Sequence, residues 1–302
     1  MSIKSFAKEL KKQLMKHYKD KAIVEISDIL KTNGKKEVGL SIIFTEAEDI
    51  AVPVIYIEGM YEHYKNNDYT MDDCVRQITE LRDKLVYEEC FEDIKSILTS
   101  WDEAKKYVYP RLINTNDNQE LLEDLISYPF LDLSVIFFLR DSAGESGETQ
   151  SIKITKALFD QYGIDMDTLK EAALDNLKKD EYHFENMEKV LFRIMENDTD
   201  DNSGEVTEFE SGKLYILSNS RNMYGAAGLL YQDLLKKTLK DNDIYIIPSS
   251  VHELIMIPAE NVDPSELTKM IQSVNETAVK VCDRLSDHPY FYNGQTQQVL
   301  CA

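Results

Sequence analysis

The sequence holds no apolar run near the roughly 18 residues that a bilayer-spanning helix needs, so no membrane segment is expected. Its four cysteines, at positions 74, 90, 282 and 301, form no CxxC pair, which removes zinc knuckles and dithiol redox motifs. Free thiols in a reducing compartment, and hence a cytoplasmic location, are the expectation. Basic residues are scarce: 34 Lys and Arg stand against 55 Asp and Glu, and a net charge of -21 repels nucleic-acid phosphates, so no direct nucleic-acid binding is expected. Histidines number five, and the glycine patterns GxGxxG, GxxxxGKS/T and GxSxG are all missing, so no nucleotide cradle or nucleophile elbow is written here and no cofactor is implied. The N-terminal run is expected to be a helix and not a secretory leader. The basic N-terminus spaces Ile3, Phe6, Leu10, Leu14 and Met15 as an amphipathic helix does.

What is present is ordinary for a folded soluble chain: 302 residues, 43% hydrophobic, 29% charged and 10% aromatic. The charge is uneven. Residues 1–40 hold ten basic and five acidic side chains, whereas 180–210 hold two basic and eleven acidic. After the first helix, two strands flank Asn33-Gly34, a dipeptide suited to tight reversals, and a third covers 50–57. Helices are expected over 58–66 and, capped by Thr70, over 71–85. The stretch 86–110 reads as helix ending at Pro110. Then come a strand at 131–139 pairing with 151–155, a helix at 119–127 and another over 156–177 broken near Gly163. The acidic segment 196–212 reads as a mobile loop. Beyond it the order is strand 214–218, helix 223–240, strands 244–247 and 251–257, helix 264–281 and a strand near 290–292. Hairpins outnumber β-α-β units, which predicts an α+β fold of mainly antiparallel sheets with packed helices, in two α/β halves at 1–100 and 101–302.

The runs YPRLINTNDNQELL, FLDLSVIFFL, LYILSNSRNMYGAAGLLY, IYIIPSSVHELIMIP and VNETAVKVCDRLSDHPYFY resemble an uncharacterised bacterial family, a domain of unknown function common in gut Firmicutes and their mobile elements. The likeness covers most of 20–292, and IPSSVHE is its most specific part. The second half is also distantly similar to YtpQ-type uncharacterised proteins, where a strand–turn–strand closes the domain. The resemblance implies an architecture and no activity.

Candidate sites arise from polar residues at turns. His252-Glu253 begins like HExxH, but position 256 is Met and the segment is strand-like, so a zinc protease is not supported and no metal site is expected. Ser249 and Ser250 beside His252 invite a hydrolase reading, against hairpin chemistry as the plainer account. Asn219, Ser220 and Arg221 precede Gly225-Ala226-Ala227-Gly228 where a strand meets a helix, a place where backbone N–H groups can hold an anion. If the two turns adjoin, Asn219, Ser220, Arg221, Ser249, Ser250, His252 and Glu253 make one polar pocket. The acidic loop also fits a calcium template poorly, with Thr199 at position 1 and Glu210 at position 12. A second polar cluster comprises Arg111, Asn114 and Asp132; Asp132 reads as a buried strand carboxylate in need of Arg111 or Arg140. Tyr56, Tyr61, Tyr64, Tyr69, Tyr290, Phe291 and Tyr292 can line a surface or fill a core.

With no nucleophile, metal or phosphate motif assembled, the sequence favours a non-catalytic module that binds a protein partner or regulates. Two alternatives stand beside it. One is a hydrolase or phosphate-ligand enzyme built on the turns at 219–221 and 248–253, and the other is an acidic mimic of nucleic acid that occupies a DNA- or RNA-binding protein.

Overall fold

Phe6, Ala7, Leu10 and Leu14 recur at helical intervals, and in the computed structural model they form the buried stripe of α1 (Ile3–Tyr18). The structure describes residues 1–45, 52–87, 94–140, 151–196 and 209–302. The chain separates into two compact units, Met1–Ser100 and Trp101–Ala302.

In the first unit α1 covers a three-stranded antiparallel sheet ordered β1 (Ala22–Leu30), β2 (Lys36–Phe44) and β3 (Ile55–Tyr56). Asn33 (φ 57°) and Gly34 (φ 68°) reverse the chain between β1 and β2, at positive φ that asparagine tolerates and that glycine, lacking a Cβ, adopts without strain. The strand expected over 50–57 is only two residues long here, following Pro53, which has no ladder donor; residues 50 and 51 lie outside the described residues. α2 (Glu58–Lys65) and α3 (Met71–Tyr87) follow. α3 starts on a reciprocal cap in which the Asp73 amide donates to Thr70 Oγ1 (3.2 Å) and the Thr70 amide donates to Asp73 Oδ2 (3.0 Å).

The helix expected over 86–110 is instead α4 (Ile94–Thr99), a single turn α5 (Trp101–Ala104) and the strand β4 (Val108–Asn114); residues 88–93 lie outside the described set. Pro110 therefore sits inside a strand. It is tolerated because β4 is an edge strand, bonded on one side only. The helix expected over 119–127 shrinks to one turn, α6 (Gln119–Leu122), and its end becomes β5 (Ser127–Phe130). β6 (Leu133–Arg140) is buried at all eight positions, between β4 on one edge and β5 and β7 (Ser151–Lys153) on the other. The link between β6 and β7, residues 141–150, lies outside the described residues.

Gly163 closes α7 (Lys156–Tyr162), and Asp165 opens α8 (Met166–Leu177) by accepting from the Thr168 amide at 2.8 Å. That amide, and then the Thr168 hydroxyl, hold the Asp165 carboxyl below the usual carboxylate range. A depressed carboxyl stabilises fully above its unfolded value of about 3.9 and loses that contribution as pH falls through the folded value. An NMR titration of the Asp165 carboxyl carbon is therefore expected to give a midpoint below that of free aspartate. Opening of the first turn of α8 should follow the same midpoint, and in Asp165→Asn this acid step should vanish. A midpoint at or above the free value would remove the cap from the account.

The remaining elements are β8 (Tyr182–Asn186), α9 (Met187–Glu196), β9 (Tyr215–Asn219), a 3-10 segment (Gly225–Leu230), α10 (Gln232–Leu239), β10 (Ile244–Ile247), β11 (Leu254–Pro258), α11 (Pro264–Thr277), β12 (Tyr290–Asn293) and β13 (Gln298–Cys301). The six strands form an antiparallel sheet ordered β13-β12-β10-β11-β9-β8. Leu112, Leu133 and Val135 from the β4–β6 sheet meet Tyr215, Leu217, Ile246, Leu254, Met256, Tyr290 and Tyr292 from this sheet in one core. The fold is α+β with antiparallel sheets, as the hairpin pattern predicts. The single helix expected over 223–240 is corrected to the 3-10 segment followed by α10, because Gly225 and Gly228 bring the backbone hard against its neighbours. The strand expected from 251 begins at Leu254. Most of the acidic segment, 197–208, lies outside the described residues, and most of the calcium template with it. Among the described residues no helix is long and apolar enough to cross a membrane.

Candidate functional site

β9 delivers Ser218 and Asn219, both buried, to a reversal at 220–224, and the β10–β11 connection lays residues 249–253 alongside it. The two turns touch through their backbones. Ser218 Oγ donates to the His252 carbonyl at 3.0 Å, the Ala226 amide donates to the Val251 carbonyl at 3.3 Å, and the Tyr224 amide donates to His252 Nδ1 at 3.3 Å. Gly225 is what permits this, since a Cβ there would sit 2.5 Å from the His252 carbonyl oxygen and 2.7 Å from Ser218 Oγ.

Most of the pocket's polar groups are used to hold these turns. Asn219 brackets the reversal, accepting from the Met223 amide (3.2 Å) and donating to its carbonyl (2.9 Å). Ser249 Oγ donates to Glu253 Oε1 at 3.1 Å, and Ser250 Oγ accepts from the His252 amide at 3.0 Å. Ser220 and Arg221 stand exposed at the tip. The Tyr224 amide makes His252 Nδ1 an acceptor, which puts the ring proton on Nε2, 3.5 Å from Asp283 Oδ1. A serine hydrolase needs a free ring nitrogen to take the serine proton. Here one nitrogen is held by a backbone amide, the other faces a carboxylate, and the nearest serines point elsewhere. The amides of 222, 223, 224, 226 and 227 all have internal acceptors, so the expected helix-start anion cradle is filled by the protein itself, on a 3-10 rather than an α-helical segment. His252 and Glu253 lie in the turn before β11 and Met256 is buried within it. No group of three or more His, Cys, Asp or Glu among the described residues can hold a metal.

The second cluster, Arg111, Asn114 and Asp132, separates. Asn114 Nδ2 donates to the Leu285 carbonyl at 3.2 Å and its Oδ1 accepts from the Asp117 amide at 3.0 Å, a structural use. Asp132 is not a buried strand residue: it occupies the exposed two-residue turn between β5 and β6, where Leu131 takes φ 55°. Its partners are neither arginine. Oδ2 meets His288 Nε2 at 2.9 Å and Oδ1 accepts from the Tyr290 hydroxyl at 2.8 Å, while His288 Nδ1 lies 2.9 Å from the Pro289 carbonyl. Cys301 Sγ is 4.0 Å from Asp132, and burial and then the Asp132 charge push that thiol up, away from a reactive thiolate. Arg140 is taken by Asp180 in a two-pronged pair, at 2.6 and 3.0 Å.

Arg111 instead joins the first site from below. Its guanidinium carbon lies 3.3 Å from the centre of the Tyr224 ring and 4.2 Å from that of Phe138, and the Tyr224 ring packs on His252 at 5.3 Å. Tyr224, Asp283 and Asp180 are the participants that sequence reasoning missed. None carries a local signal, because each is defined by a partner distant in the chain. Of the aromatics, Tyr290 and Tyr292 are core residues. Tyr61, Tyr64 and Tyr69 line an open cavity of about 530 Å³ in the first unit, together with Lys65 and Thr70.

Residues 3–294 match the model of DUF5688, a family of unknown function. No curated protein matches the chain, and no solved structure does.

Proposed function

Because the chain belongs to DUF5688, whose function is unknown, we propose a role from its own surface: a non-catalytic protein-binding or regulatory module that docks its partner through α9. The observation that carries this reading is the outward apolar face of α9, where Leu191 is 51%, Phe192 60% and Met195 83% exposed. The Arg193–Glu185 ion pair anchors the helix from the far side, while Glu188, held by Lys213 at 2.7 Å, stands one turn before Phe192 at the start of the apolar stripe. It lies within the 180–210 stretch, where eleven acidic residues stand against two basic ones. The partner that complements such a surface is a protein with an apolar pocket rimmed by Lys and Arg. The engagement of His252, Ser249 and Ser250 in turn-building also favours binding over hydrolysis.

The test is capture from the host lysate with the full chain and with Phe192→Ser/Met195→Ser, each at low and high salt. A stoichiometric basic partner that the double variant binds at least about tenfold more weakly, the worth of one aromatic anchor, supports the reading. If that partner is itself a nucleic-acid-binding protein released by salt, the docking is acidic mimicry. Identical capture by wild type and variant, or turnover of any substrate that depends on His252, overturns it.

A further inference from the structure

The open cavity of about 530 Å³ in the first unit falls within the roughly 300–1,000 Å³ of small-ligand sites. Tyr61, Tyr64, Tyr69 and Met71 supply its apolar wall, and Lys65 and Asn67 bring polar groups to it. The rings are fixed before any ligand arrives. The Tyr61 hydroxyl donates to the Met1 carbonyl at 2.6 Å, and Tyr61 and Tyr64 pack on the buried Phe6 with ring centres 5.5 and 4.9 Å away. Tyr69 packs on His63 at 4.8 Å, and His63 Nδ1 lies 3.2 Å from Asp68 Oδ2. Between α2 and α3 the chain turns at Asn67, whose φ of 63° asparagine tolerates, and its amide donates to the Tyr64 carbonyl at 3.2 Å. Aromatic groups held this way lose little freedom on binding.

The groups left unused define the ligand. Among the described residues the hydroxyls of Tyr64 and Tyr69 and the side-chain amide of Asn67 make no hydrogen bond within the protein. Lys65 Nζ stands 3.7 Å from Glu62 Oε2, too far for one. Among the described residues Lys65 is the one charged group lining the cavity, so a cation is repelled locally and an anion by the net charge of -21. A neutral ligand remains. A wholly apolar one would strip water from four polar groups and return no hydrogen bond. A pyranose meets both demands, because the polarised C–H bonds of one ring face suit the negative face of a tyrosine and its rim of hydroxyls both gives and accepts hydrogen bonds.

We propose that this cavity binds a neutral oligosaccharide, with Tyr64 and Tyr69 as stacking rings and Asn67 and Lys65 as partners of its hydroxyls. The site lies in the first unit and shares no residue with α9, so it holds or fails separately from the docking role.

The full chain, labelled with 15N, is titrated with maltotriose, cellotriose and chitotriose, and with decaproline, whose extended helix also docks on aromatic walls. Calorimetry on the same mixtures measures affinity. Saturable shifts centred on the amides of 61–71 and on the Asn67 side chain are expected with at least one sugar and not with decaproline. Tyr64→Ala is expected to weaken binding at least about tenfold, the worth of one aromatic anchor. Because Tyr64 also packs on Phe6, Asn67→Gly reads the same site if that variant does not fold. It keeps the positive φ, removes only the side chain, and is expected to weaken binding about threefold or more. No shift in 61–71 with any of the sugars, shifts there with decaproline instead, or equal affinity in wild type and both variants overturns the proposal.

Discussion

Asp180→Ala is expected to cost about 3–5 kcal/mol of folding stability, because it strands the Arg140 guanidinium in an interior that has already removed its water. The pair is two-pronged, at 2.6 and 3.0 Å, and burial leaves neither group a solvent alternative. Arg140 also lies on Tyr109 and ends a strand that is buried throughout, so it has no route outward when its partner goes. The check is urea unfolding of both proteins. The midpoint should fall with the slope unchanged, which is the mark of lost stability rather than of an altered denatured state. The companion experiment replaces both residues, Arg140→Met with Asp180→Leu, and most of the loss should be recovered, since no uncompensated charge remains. A single variant as stable as wild type would mean that the pair is hydrated, contrary to its burial.

Gly225→Ala is expected to cost about 1–3 kcal/mol, toward the upper end for so small a change. The atoms an added methyl meets are the His252 carbonyl at 2.5 Å, Ser218 Oγ at 2.7 Å and the Asn219 amide nitrogen at 3.0 Å. Two of the three are backbone, and no rotamer change moves them. The turns must part, and the bond from the Tyr224 amide to His252 Nδ1 goes with them. Imidazole 15N shifts read this directly, since the proton now confined to Nε2 should distribute between both nitrogens in the variant. Unchanged shifts together with an unchanged unfolding midpoint would refute the close approach.

Where a feature depended on neighbours in sequence, it could be read from the sequence. Asn33-Gly34 is a reversal whatever surrounds it, Thr70 and Asp73 cap each other within one turn, and the break at Gly163 followed by Asp165 is local punctuation. Pro110 misled because proline ends a helix but is also harmless on an edge strand, and only the sheet order tells which applies. Asp132 misled because Leu131 at positive φ is disfavoured locally and is imposed by the β5–β6 register. β8, with the sequence YHFEN, carries too little apolar alternation to announce itself. The adjacency of the two turns was foreseeable as a conditional. The role of His252 was not, because it is set by an amide at Tyr224, and neither was the stack that carries Arg111 to the same place.

The sheet order also governs how the second unit comes into being on the ribosome. β12 lies between β10 and β13, and its Tyr290 and Tyr292 are wholly buried, so residues 290–293 complete both a ladder and the core. Until they are made, β10 presents an open edge and the core lacks two of its largest side chains. At about 5–20 residues per second, β10 therefore waits several seconds for this neighbour. During that interval the nascent chain offers an apolar strand edge to any other chain nearby, so the demand on holding chaperones falls on this short stretch of synthesis.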